Sequence, residues 1–162
     1  MFLMKIPLVG DDEDGIKTIF EKFLGEKRME PHHFFVQGFR GSIKKMIVAN
    51  KDVKFQFWFL NQAKRFISSR RLYYQGSYGF IVFSDVTNRN SFLNSNKIFN
   101  EVLKNCRGGP IPVVLIGTKS DLRDSSPDSI SLEEAQRYAK NCLKHCNLIV
   151  KSPILTRLLK LV

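Results

Sequence analysis

Gly10 and Gly15 bracket four acidic residues, Asp11-Asp12-Glu13-Asp14, and Ile16, Lys17 and Thr18 follow. The apolar run Phe2 to Val9 leads into this stretch, and residues of helical period lead out of it. Strand, glycine loop and helix in that order form the setting of a phosphate-binding loop. There the glycines let backbone N–H groups wrap phosphate, while a lysine and a hydroxyl reach phosphate and metal. The pattern G-x-x-x-x-G-K-[ST] is missed by one place: Ile16 stands where the lysine belongs, and Lys17 and Thr18 come one residue late. A one-residue insertion would make Lys17 and Thr18 the working pair. The ungapped register is preferred, because Ile16 completes an apolar helical face with Ile19, Phe20, Phe23 and Leu24. One helical residue is about 100° of rotation and 1.5 Å of rise, so Lys17 then points away from a phosphate held by the loop.

The acid run has two readings. Each like-charge pair at about 5 Å costs on the order of 1 kcal/mol in water and 3 at an effective dielectric near 20, which erodes binding of a polyphosphate. Carboxylates at a helix N-terminus also satisfy free N–H groups and the macrodipole, and so act as an internal substitute for phosphate.

The elements that position this loop alternate. After the first strand and helix, Gly41 to Ala49 and Val53 to Phe59 predict a hairpin turning at Asn50-Lys51-Asp52. Tyr78 to Ser84 and Pro112 to Gly117 are apolar runs with the look of buried strands. Phe92 to Cys106 carries helical spacing, and Ser131-Leu132-Glu133-Glu134 is a capping box opening a helix to about Leu143. Leu148 to Val150 predicts a last strand and Leu155 to Val162 a last short helix. No linker, repeat or low-complexity stretch interrupts the 162 residues, which predict a single α/β domain over 1–162 with helices on both faces of its sheet.

Two further stretches are specific. Tyr73-Tyr74-Gln75-Gly76-Ser77-Tyr78-Gly79, followed by a strand and Asp85-Val86-Thr87-Asn88-Arg89-Asn90-Ser91-Phe92, resembles the small GTPases of the Ras superfamily, Rab-type above all. Thr118-Lys119-Ser120-Asp121 is similar to the family's N-K-x-D guanine box. The resemblance runs from Lys5 to about Ser152. It implies a P-loop NTPase-type Ras-like G domain, with a central, mostly parallel six-stranded sheet and five helices. It also implies a GTP/GDP site drawn from Gly10, Asp11, Gly15, Ile16, Lys17, Thr18, Thr118, Lys119, Asp121 and Ser152. Ionised Asp121 is acceptor-only and suits both N–H donors of a guanine edge, while the stem of Lys119 suits the ring and its amine the phosphate loop.

The departures fall where the family's chemistry lies. Its Mg²⁺-holding threonine of the first switch becomes Val36, two residues before Gly38. Its second switch, W-D-T-A-G-Q-E-R-F, reads Trp58-Phe59-Leu60-Asn61-Gln62-Ala63-Lys64-Arg65-Phe66. Phe59 and Val36 remove metal support, Gln62 replaces the glycine that approaches phosphate, and Ala63 cannot orient water. The S-A-K turn becomes Ser152-Pro153-Ile154, and Pro153 lacks a backbone donor. The expectation is a guanine-nucleotide-binding switch-type domain with weak or lost hydrolysis and little Mg²⁺ support. The alternative is a nucleotide-free pseudo-GTPase serving as an interaction module.

Charge adds a surface. The chain has 26 Lys plus Arg against 15 Asp plus Glu, a net +11, and residues 61–110 hold 8 basic and 2 acidic residues. Lys64, Arg65, Arg70 and Arg71 flank the second switch as a basic strip, so protein effectors or regulators are expected around Val36 to Gly38 and Arg65 to Tyr74, an acidic partner among them. No nucleic-acid motif accompanies the charge, and a general polyanion binder is the weaker reading. His32 and His33 lack a third ligand at metal spacing, and Cys106, Cys142 and Cys146 form neither a zinc pattern nor an even disulfide set. No cysteine follows Cys146, so the expectation is no encoded lipid anchor and a cytoplasmic protein, peripheral on endomembranes through partners.

Overall fold

The computed structural model describes residues 2–24, 34–36, 39–106, 111–142 and 148–151. In chain order the elements are β1 (Phe2–Gly10), α1 (Glu13–Leu24), β2 (Phe34–Val36), β3 (Phe39–Val48), β4 (Lys51–Leu60), α2 (Ile67–Tyr74), β5 (Phe80–Asp85), α3 (Arg89–Asn105), β6 (Val113–Thr118), α4 (Leu132–Cys142) and β7 (Leu148–Lys151). One sheet runs in the order β2-β3-β4-β1-β5-β6-β7. β1 pairs in parallel with β4 and β5, and β5, β6 and β7 continue in parallel, whereas β2 and β3 run antiparallel to their neighbours. Among the described residues the sheet has seven strands where six were expected: Phe34–Val36 is too short to show a period-two pattern and forms by pairing with Phe39 to Gly41.

Alternation along the strands divides two cores. Leu8, Ile16, Phe57, Phe83 and Ile116 are buried beneath α1, with Ile19, Phe20 and Phe23 packed on them. Val9, Phe39, Trp58, Leu60, Val82, Leu115 and the inner faces of α2, α3 and α4 fill the other side. Helices therefore cover both faces, as β5, β6 and the second half of β1 require: their runs are mostly apolar because they are largely buried on both sides.

Local boundaries moved for identifiable reasons. The hairpin turns on Ala49 and Asn50, both at positive φ, one residue earlier than expected, with Val48 opposite Lys51. α1 opens at Glu13, two residues before Gly15. α2 has no clear apolar period in Ile67-Ser68-Ser69-Arg70-Arg71-Leu72, so the sequence does not mark its bounds; it is held by tertiary contacts described below. Asn88 caps α3, its side chain accepting from the N–H groups of Asn90 and Ser91, and Ser131 accepts from the N–H of Glu134 as the capping box predicts. The expected helix Leu155 to Val162 lies outside the described residues, as do His32, His33, Gly38, Ser152 and Pro153.

Candidate functional site

Gly10 ends β1, Asp85 ends β5 and Thr118 ends β6, so three carboxyl ends meet at one edge of the sheet. From β1 the chain departs toward β3 and β4 and later returns on the other side at β5, which makes this edge the topological switch point where α/β sheets bind ligands.

The connection from β1 to α1 is two residues, Asp11-Asp12, instead of a wrapping loop. Asp12 is the helix cap: its carbonyl accepts from Ile16 N at 3.0 Å and its Oδ1 from Gly15 N at 3.2 Å. Its Oδ2 accepts from Thr118 Oγ1 at 2.6 Å, and Lys119 Nζ lies 3.5 Å from Oδ1. The side chain is 8% exposed. Both glycines are used against protein groups. A Cβ on Gly15 would meet Asp12 Oδ2 at 2.1 Å; one on Gly10, whose φ is +157°, would meet the carbonyl oxygen of Phe83 at 2.5 Å.

The remaining loop candidates disperse. Asp11 turns away to α3, accepting from Ser91 Oγ and, at 3.2 Å, from Asn94 Nδ2. Ile16 is a correction to the candidate site: it is 1% exposed and belongs to the core under α1, because its helical angle matches Phe20 and Phe23. Lys17 is exposed on the outer face of α1, and exposed Thr18 donates its hydroxyl to the carbonyl of Asp14 at 2.9 Å.

The turn after β6 does come to this edge. Lys119 has φ 55°, a left-handed conformation rarely adopted by a residue with a Cβ, and its ammonium donates to Asp85 Oδ2 at 2.5 Å beside Asp12. Burial works to raise the Asp85 carboxyl, but hydrogen bonds from Lys119 and Thr87 outweigh it and hold the pKa below its ordinary value. The hydrogen bond to Asp85 raises that of Lys119, with Asp12 adding to it. Asp85, not among the sequence candidates, is thus central; its signal was its place one residue past an apolar strand. Asp121 is exposed in a 3₁₀ turn at Ser120–Ser125.

The segment read as a second switch is tied to its surroundings. Phe59 lies half-buried in the core under α1. Gln62 Nε2 donates to the carbonyl of Leu60 at 2.8 Å, and Asn61 Oδ1 accepts from Ala63 N at 2.8 Å. Arg70 is a second correction: it is 3% exposed and not part of the basic strip. Its Nη1 donates to the carbonyls of Asn61 and Ala63 at 3.0 and 3.2 Å, while Nε and Nη2 donate to the two carboxylate oxygens of Glu101 on α3. Tyr74 donates its hydroxyl to Glu101 as well, and burial first, then Glu101, pushes that phenol's pKa upward. Lys64, Arg65 and Arg71 remain exposed around this anchor.

The model of the Ras family matches residues 5–150. The chain belongs to the Ras family. It is 32% identical over 146 residues to the Ras-related protein RabL of Dictyostelium discoideum, an overlap covering 86% of this chain and 67% of that protein. To the Ras-related protein Rab-2B of the same organism it is 30% identical over 141 residues, covering 85% and 66%. To the Ras-related protein RABA5a of Arabidopsis thaliana it is 29% identical over 139 residues, covering 83% and 62%. The chain spans about two thirds of the length of the curated relatives it matches. It is a Rab-like small GTPase by family, and the Ras family binds GTP or GDP with Mg²⁺ and meets effectors and regulators through its switch regions.

The first-turn N–H of Gly15 is engaged by Asp12, the space above Gly15 is taken by that same carboxylate, and Phe59 packs against the core under α1. Among the described residues no group of three or more His, Cys, Asp or Glu could hold a metal ion.

Proposed function

We propose that this Ras-family chain works as a Rab-like protein-binding module whose phosphate site is filled by its own Asp12, without GTP hydrolysis. The observation that carries this is the Asp12 carboxylate, which caps α1, receives the Thr118 hydroxyl and lies beside Lys119. A polyphosphate would have to displace those contacts and sit near Asp11, Glu13 and Asp14, at a like-charge cost of roughly 1 to 3 kcal/mol per close pair. Ala63 and Phe59 leave no water-orienting or metal-holding side chain at their places. The Arg70 clamp supports the same reading: it holds Asn61 and Ala63 through contacts internal to the protein, so the exposed cations Lys64, Arg65 and Arg71 are presented to an effector or regulator in one arrangement.

A second reading, guanine nucleotide held weakly from the base side, is favoured by one arrangement: exposed Asp121 next to Lys119, whose side chain is 42% exposed. Thermal denaturation with and without about 1 mM GDP, GTP or ATP, each with Mg²⁺ and with EDTA, separates the two. Ligand at about 100 times its dissociation constant adds roughly 2.7 kcal/mol to stability. No shift with any nucleotide is the expected result. A guanine-selective rise would replace the first reading by the second, and a rise that also needs Mg²⁺ would overturn both accounts of the phosphate side.

A further inference from the structure

The far end of the sheet, opposite the carboxyl edge, carries a surface of different character. Register places Lys45 of β3, Lys54 of β4 and Leu3 of β1 on one rung, and Met46, Val53 and Phe2 on the next. Paired residues share a sheet face and neighbours along a strand alternate. Leu3, Lys45, Lys54 and Ile47 therefore lie on one face, and Phe2, Val48 and Lys51 on the other.

Half of the large exposed apolar side chains among the described residues gather here: Phe2, Leu3, Ile47 and Val48, with Ile47 75% exposed. Lys45 and Lys54 stand directly opposite each other, a like-charge pair that destabilises a sheet, and no salt bridge to either occurs among the described residues. Lys51 adds a third cation, its ammonium 5.9 Å from the ring centre of Phe2, against Asp52, the single carboxylate within residues 45–54. The two-residue turn at Ala49-Asn50 keeps the tip narrow.

We propose that this end of the β3–β4 hairpin, with the start of β1, seats on an anionic lipid bilayer. Charge complementarity names the sign of the partner, and the distribution of apolar groups names its kind. A protein surface meets one face of a hairpin, whereas this end is apolar on both faces at once. The medium that surrounds a projecting tip on all sides is the interfacial layer of a membrane, where apolar side chains enter the acyl boundary and lysines stay among the headgroups. The inference is independent of whether the carboxyl edge binds nucleotide.

The test is partition of the full chain onto vesicles of phosphatidylcholine alone or with a third phosphatidylserine, by sedimentation. Binding to the anionic vesicles only, weakened at about 0.5 M salt, is expected. Because a net charge of +11 attracts any anionic surface, two double variants of equal charge change are compared. Lys45→Gln with Lys54→Gln is expected to weaken partition about thirtyfold, roughly fivefold per lysine near the surface. Arg65→Gln with Arg71→Gln, on α2, is expected to leave it within about threefold of wild type by the same reasoning. Ile47→Ser should lower partition while leaving the thermal midpoint close to wild type. Equal losses in the two double variants would mean unspecific attraction and overturn the proposal, as would no binding at low salt. Concentration-dependent dimerisation of free protein that Ile47→Ser abolishes would assign the surface to a second copy instead.

Discussion

Arg70 and Glu101 form a two-pronged pair between α2 and α3, with Nε 3.1 Å from Oε1 and Nη2 3.0 Å from Oε2. Arg70 is 3% exposed, so its charge depends on that partner. Glu101→Gln removes the opposite charge but keeps a similar shape, and Glu101→Ala removes both. Breaking a buried pair on one side costs about 3 to 5 kcal/mol, because the remaining charge stays desolvated. Urea denaturation is expected to give a loss near that range for Glu101→Ala. Arg70→Met with Glu101→Leu should recover much of it, since replacing both partners by apolar groups leaves no orphan. If Glu101→Ala and the Arg70→Met, Glu101→Leu double variant lose the same amount, the pair matters for shape and not for charge.

The same pair predicts a loosening that stability alone does not report. Arg70 also holds the carbonyls of Asn61 and Ala63, sharing the latter with the N–H of Phe66. In Glu101→Gln, amide exchange at Ala63 to Phe66 should accelerate more than at Val82 or Leu115 in the central strands, because local opening follows the least supported segment. Uniform acceleration would show that α2 and its preceding turn unfold only with the whole domain.

Asp12 separates two roles that one substitution pair can pull apart. Asp12→Asn keeps a good helix cap and removes the charge, so thermal stability should stay within about 0.5 kcal/mol of wild type. Asp12→Gly removes the side chain from above Gly15 and leaves the buried hydroxyl of Thr118 to its other acceptor, the carbonyl of Ser84 at 3.3 Å; Gly is itself an acceptable cap, and the loss should be about 1 kcal/mol or less. If the carboxylate fills a phosphate place, Asp12→Gly should show a stabilisation by GDP that wild type lacks. Restoring a lysine by Ile16→Lys would not be a clean companion, because Ile16 is core and burying an unpaired ammonium there is severely destabilising.

What could be read from the chain follows from the range of the forces involved. β5, β6 and the second half of β1 are legible because they are largely buried and mostly apolar; α3 is legible from the helical spacing of Phe92 to Cys106, and α4 from the capping box at Ser131, a local signal. The two cores follow from Ile16, Phe20 and Phe23 on one side and Phe92, Phe99 and Val102 on the other. The reach of the Lys119 amine to the β1–α1 connection was also anticipated. Arg70 reads as surface from the sequence, since its burial depends on Glu101 thirty-one residues away, and no local pattern encodes that pairing. Likewise the early start of α1 rests on Asp12 meeting Thr118, a contact across 106 positions.

Asp85 and Lys119 set a window of pH. The Asp85 pKa is lowered in the folded state, so its contribution is present above the unfolded value of about 3.9 and is lost as pH falls through the folded one. The Lys119 pKa is raised, so its contribution is complete below about 10.4 and is lost as pH rises through the folded value. Between those limits the pair is intact, and outside them stability declines. In Lys119→Met burial is no longer offset by the ammonium, so the Asp85 carboxyl should titrate at higher pH and the acid limb of the stability profile should move up with it. Urea denaturation across the acid range, beside carboxyl-detected NMR titration of Asp85, checks both shifts. Because the ammonium is 42% exposed, the effect should shrink in high salt.

Ala49 offers the last and simplest measurement. It is the first central residue of the β3–β4 turn, and both it and Asn50 have positive φ, 48° and 60°. For a residue with a Cβ the left-handed region costs roughly 1 to 2 kcal/mol, which asparagine reduces and glycine avoids. Ala49→Gly, although it adds freedom to the unfolded chain, should therefore raise stability by about 0.5 to 1 kcal/mol, and Ala49→Pro, fixed near φ −65°, should lower it by more than that. Leu3, Lys45 and Ile47 keep their places in the register in Ala49→Gly, so its partition onto anionic vesicles should match wild type. A stabilised hairpin that no longer reaches the membrane would show that the strain in the turn, and not the side chains beside it, sets that surface.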